Sequence, residues 1–103
     1  MNPLHDLKVP PETAIRLIAE RIEAAQLLRD CTSPPGYYDV VGWCSKTWPV
    51  VDSVFGANSM EADEIRLIGL PACSCTLPGP VQETLNIYCS KLQEYIDRIR
   101  ADA

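Results

Sequence analysis

The run TAIRLIAERIEAAQLLRD, residues 13–30, decides the fold. It contains no Gly or Pro. Its apolar residues Ile15, Ile18, Ile22 and Ala25 return every three or four positions, the spacing that sets side chains on one face of an α-helix. Ala14, Leu17 and Leu28 widen that stripe, while Arg16, Glu20, Glu23 and Asp30 fall on the opposite side. The segment therefore reads as an amphipathic helix with one face turned to a core. Pro10-Pro11-Glu12 supplies its start, because Pro at the first helical position gives up no useful hydrogen bond and Glu12 suits the positive end of the dipole. The preceding residues 1–10 are aperiodic and read as a flexible arm.

Downstream, Cys31-Thr32-Ser33-Pro34-Pro35-Gly36 is a breaker cluster. Helical spacing resumes over Tyr37–Phe55, with Tyr38, Val41, Cys44, Trp48, Val51 and Phe55 as the stripe. Pro49 removes a backbone donor inside this segment, predicting a kink or two short helices, and Gly56 stops it. Gly42 lies inside the same helix, where a glycine can mark a close helix approach. Asn58 with Glu61 forms a variant capping box for a short helix over 59–68, with Met60, Ile65 and Ile68 as its buried contacts. Residues 65–70 alternate and also fit a brief strand, but such a strand has no partner in the chain, so helix is favoured.

After a second loop, residues 71–79, Pro80 opens the last helix. Its stripe is Leu85, Tyr88, Leu92, Tyr95 and Ile99, thickened by Cys89 and Ile96. At 1.5 Å per residue it reaches about 35 Å, a surplus expected to extend toward a partner. The expectation is an all-α, small four-helix bundle-like domain over residues 1–103, with two long terminal helices and a Pro-kinked second helix.

The totals narrow the function classes. A chain of 103 residues is one domain in size and long enough for a core without staples. Its net charge is −5, and its three lysines (Lys8, Lys46, Lys91) are scattered, which argues against nucleic-acid binding and against anionic membrane surfaces. No apolar run has the ~20 residues needed to span a bilayer, and Met1 to Val9 lacks the apolar core of a secretory signal. Five cysteines cannot all pair within one chain, so a reducing, cytoplasmic setting is expected.

Candidate chemistry is sparse. Cys73-Ser74-Cys75 offers two thiolates, but a zinc site wants four ligands, and Cys31, Cys44, Cys89 and His5 do not form a second ligand pair. No metal and no cofactor are expected. A nucleophile would need a base, and His5 is the single histidine. There is no Gly-rich phosphate loop. Three acidic pairs stand at i, i+3: Glu20 and Glu23, Glu61 and Glu64, Glu94 and Asp97. The motifs ERIE (20–23) and EYID (94–97) are similar to the E-x-x-E and E-x-x-D pairs of all-helical nucleotide pyrophosphohydrolases of the MazG type. That resemblance, eight residues long, implies a Mg²⁺-dependent site at Glu20, Glu23, Glu94 and Asp97. Against it, Glu20 and Glu23 lie opposite the apolar stripe and a lysine-rich phosphate cradle is missing.

Aromatic residues concentrate in the second segment. Tyr38, Trp48 and Phe55 fit its stripe as core, whereas Tyr37 and Trp43 fall off it and are candidates for a binding surface. Tyr88 and Tyr95, one heptad apart, suit either core or a dimer seam. The leading expectation is a non-enzymatic interaction module, a homodimer or a subunit bound to a protein partner, using Tyr37, Trp43, Trp48, Tyr88 and Tyr95. The alternatives are a Mg²⁺-dependent enzyme or small-molecule-binding protein built on the acidic pairs, and a regulatory protein acting through its acidic surface.

Overall fold

Four helices form where the hydrophobic spacing places them. The computed structural model describes residues 7–31, 37–69 and 79–102. In chain order these form α1 (Pro11–Cys31), α2 (Tyr37–Phe55), α3 (Met60–Ile68) and α4 (Gly79–Asp102), with no strand among the described residues. The region left between helix and strand is helical to Ile68. Gly69 ends it, at φ 75° and with its N–H donating to the Arg66 carbonyl. At the start of α1, Pro10 provides the first acceptor, 2.9 Å from the Ala14 N–H. Leu7–Pro10, expected as part of an arm, lie against the bundle: the Lys8 N–H donates to the Val54 carbonyl at 2.8 Å, and Leu7 and Val9 pack on the core.

α1 and α4 form the most extensive helix pair. Arg29 near the end of α1 meets Asn86 and Cys89 near the start of α4, and the buried residues run from Ala14 to Ala25 on one helix and from Leu85 to Ile99 on the other. The two therefore pack antiparallel along their lengths. α2 lies against α1, α3 against α2, and α4 closes the ring on α3. The molecule measures 47 × 24 × 18 Å, so it is two helices thick. The core is built from Ile18, Val51, Ile65, Leu85, Tyr88, Leu92 and Tyr95 together with smaller residues. Leu85, Tyr88, Leu92, Tyr95, Ile96 and Ile99 are all buried, so the stripe of α4 is core along its whole run and no dimer seam.

α2 is one continuous helix rather than two. Pro49 faces solvent together with Ser45 and Ser53, so the Ser45 carbonyl that loses its helical donor lies on the wet side. Ser53 Oγ donates to the Pro49 carbonyl at 2.9 Å. Gly56, at φ 103°, caps the helix as expected, with its N–H on the Asp52 carbonyl.

Four sequence expectations are corrected here. Tyr38, read as core, is 83% exposed. Trp43, read as off the stripe, is buried. The inward face of α2 carries Val40, Trp43, Cys44, Thr47, Val51, Val54 and Phe55: Cys44, Val51 and Phe55 lie there as expected, Val40, Trp43, Thr47 and Val54 join them, and Tyr38 does not. Thr47 disguises it: its hydroxyl donates to the Trp43 carbonyl at 2.8 Å, so a polar residue sits in the core fully satisfied. In α3 the cap is Ser59, not Asn58. Ser59 Oγ accepts from the Ala62 N–H at 3.0 Å. This register turns Glu61, Ala62 and Ile65 inward and leaves Met60 exposed.

Gly42 marks no close approach, because a methyl group there would meet nothing within 4 Å. Gly42→Ala is accordingly expected to stabilise the fold by about 0.5–1 kcal/mol, through reduced entropy of the unfolded chain. Thermal unfolding followed by circular dichroism checks it; an unchanged or lower Tm would show a steric demand at this position.

Candidate functional site

Between α1 and α2 lies an open cleft of about 370 Å³, whose walls include Arg21, Leu28, Tyr38, Asp39, Trp43 and Lys46. Its floor is a reciprocal clamp between the two helices. The Trp43 indole N–H donates to the Arg21 carbonyl at 2.9 Å. In return the Arg21 guanidinium lies over the Trp43 ring at 5.5 Å and donates to the Trp43 carbonyl at 3.3 Å and to Thr47 Oγ1 at 3.2 Å. Burial pushes the Arg21 pKa down, and no carboxylate stands within ion-pair distance of it among the described residues. Sequence reasoning missed Arg21. The available signal was a cation three residues after Ile18 and four before Ala25, inside the apolar stripe of α1.

The other aromatic candidates knit the bundle. Tyr88, fully buried, packs edge-on against Trp43 with centroids 5.5 Å apart. Its hydroxyl donates to the Gly69 carbonyl at 2.8 Å and accepts from the Trp48 indole N–H at 3.0 Å. Trp48 is half-buried under Arg66, which is itself held by both carboxylate oxygens of Asp52 at 2.7 and 2.8 Å. The Arg66 hydrogen bonds hold the Asp52 carboxyl below its ordinary range. Tyr95 packs on Phe55 and donates to the Glu61 carbonyl and to Glu64 Oε1, both at 3.2 Å. Burial raises the pKa of Tyr88 and of Tyr95 well above the ordinary phenol value. Trp43, Trp48, Tyr88 and Tyr95 thus join helices to one another, and of the four Trp43 also lines the cleft. The side chain of Tyr37 lies outside the described residues.

The pairs Glu20–Glu23 and Glu94–Asp97 sit on outer faces, whereas Glu61 of the third pair is buried. Glu20 and Glu23 are exposed, with Glu20 beside Arg16 at 3.9 Å. Glu94 is flanked by Lys91 at 3.3 Å and by Arg98, and the Lys91 hydrogen bond leads the causes that hold its carboxyl below the usual range. Asp97 accepts from Gln93 at 3.1 Å. Among the described residues, no three His, Cys, Asp or Glu side chains stand together as a metal site. Cys73, Cys75 and His5 lie outside the described residues. Cys44 and Cys89 are free thiols, and burial pushes Cys44 up to about 11. No described helix is long and apolar enough to cross a membrane.

Compared with known proteins, the chain matches no family model, no curated protein and no solved structure.

Proposed function

We propose that this chain is a non-catalytic helical interaction module that joins a second copy of itself through one end of its bundle, in a reducing, cytoplasmic setting. One observation carries the reading. Leu27, Tyr38 and Ile87 are 62%, 83% and 50% exposed, and they come from three different helices at the end where α1 finishes and α2 and α4 begin. The contact of Arg29 with Asn86 brings the Leu27 and Ile87 neighbourhoods together, and Leu28 shares the cleft wall with Tyr38. Large apolar side chains exposed on several elements near one end of a bundle suit an interaction surface better than single ones do. The free thiols of Cys44 and Cys89 suit a reducing compartment.

Sedimentation equilibrium tests the reading. A reversible dimer in the micromolar range is expected, weakened by Tyr38→Glu and by Leu27→Glu, since a stable interface must cover roughly 800 Å² on each partner. A monomer at every concentration up to the high micromolar range would overturn it.

A further inference from the structure

We propose that the cleft between α1 and α2 binds an organic carboxylate with a small apolar body, its oxyanion held by Arg21. Three features converge. The guanidinium is fixed in place, stacked over Trp43 and bonded to Thr47 Oγ1 and the Trp43 carbonyl. Those two bonds use two of its five N–H groups, and the remaining three have no acceptor among the described residues. A planar fork with N–H groups to spare, on a residue that lines a cleft, is matched to the paired oxygens of a carboxylate.

The surroundings set the rest of the ligand. Lys46 adds a second cation at the cleft wall, whereas Asp39 there, which has an interaction of its own, opposes a second negative charge. A single carboxylate therefore fits better than a polyanion. Leu28 and the ring of Tyr38 offer apolar wall for a flat or branched body, and about 370 Å³ lies at the small end of the range for ligand pockets. The site shares Tyr38 with the face proposed for self-association, but it lies within one chain, so a monomer holds it complete.

The carboxylate could belong to a free small acid or to the C-terminus of a peptide, and the test separates them. The full chain is titrated with benzoate, with benzamide and benzylamine as uncharged and cationic counterparts. Parallel titrations use an N-acetylated tripeptide ending in leucine and its C-terminal amide. Backbone and side-chain amide NMR shifts are followed at residues 21, 43 and 46, below the concentration at which any dimer forms. Saturable shifts at the Arg21 Nε–H and the Trp43 indole N–H are expected with one or both acids and with none of the other three compounds. The acid that binds tighter names the source.

Arg21→Gln is expected to weaken that binding at least about tenfold, the range for a hydrogen bond to a charged group. Lys46→Ala, on the exposed lip and outside the core, is expected to weaken it by about threefold and to lessen its salt dependence. Should Arg21→Gln fail to fold, Lys46→Glu gives the same reading by weakening carboxylate binding further. No saturable shift with either acid, or equal binding of benzoate and benzamide, would overturn the proposal.

Discussion

Trp43→Ala is expected to cost this fold about 3–5 kcal/mol, the range for removing a large buried aromatic side chain. Trp43 is 5% exposed, and its ring stands between the Arg21 guanidinium and the edge of Tyr88. Truncation would open a cavity at the meeting point of α1, α2 and α4 and leave the Arg21 guanidinium without its platform. Small domains hold only 5–15 kcal/mol in total, so the variant would stand near its unfolding threshold. Trp43→Phe separates the two parts of the loss. It keeps a ring against Tyr88 and removes the indole N–H from the Arg21 carbonyl, which is expected to cost about 1–2 kcal/mol. Urea unfolding followed by circular dichroism measures both. A Trp43→Ala cost below about 1 kcal/mol would mean that the indole contributes little to the core.

The second large effect is alkaline. Burial raises the thiol of Cys44 from 9.0 to about 11, and raises the phenols of Tyr88 and Tyr95 above their ordinary 10.0. At neutral pH all three groups are protonated in both the folded and the unfolded chain, so they leave stability flat. Above pH 9 the unfolded chain gives up these protons first, and stability falls as pH rises. By pH 11 the Cys44 thiol alone removes on the order of 2–3 kcal/mol, with the two tyrosines adding to the loss above pH 10. The urea midpoint is expected to hold steady up to pH 9 and then to drop steeply. Cys44→Ala should remove the share of the slope lying between 9 and 11, measured against its own neutral-pH midpoint. The share of tyrosinate absorbance that comes from Tyr88 and Tyr95 should rise together with loss of helix. Full ionisation of Tyr88 and Tyr95 in a chain that is still helical would contradict their burial.

What could be read from the residues alone depended on how cleanly each helix divides apolar from polar. α1 and α4 repeat apolar residues at three- and four-residue steps, and both formed with the expected inward residues. α2 was legible in its ends and misread in its facing. Tyr38 matches the helical period but projects into water, while the inward line runs through Thr47, whose hydroxyl is satisfied by its own helix. α3 was shifted by one residue, because Asn58 and Ser59 can each cap a helix and sequence alone does not rank them. The cleft was the least legible feature. Trp43 was singled out for the wrong reason, since it is buried and only one side of it meets the cavity. Arg21 sits on an apolar face in a role set by a residue 22 positions away, a relation that periodicity does not encode.

The pairing of α1 with α4 bears on how the molecule is made. Of these four helices, the first to be made has its principal mate in the last. During synthesis Ile18 and its neighbours therefore wait, with only α2 to shelter them, until Leu85 to Ile99 emerge. Joining α1 to α4 thus requires the closure of a long loop, a step that costs more chain entropy than the winding of any one helix.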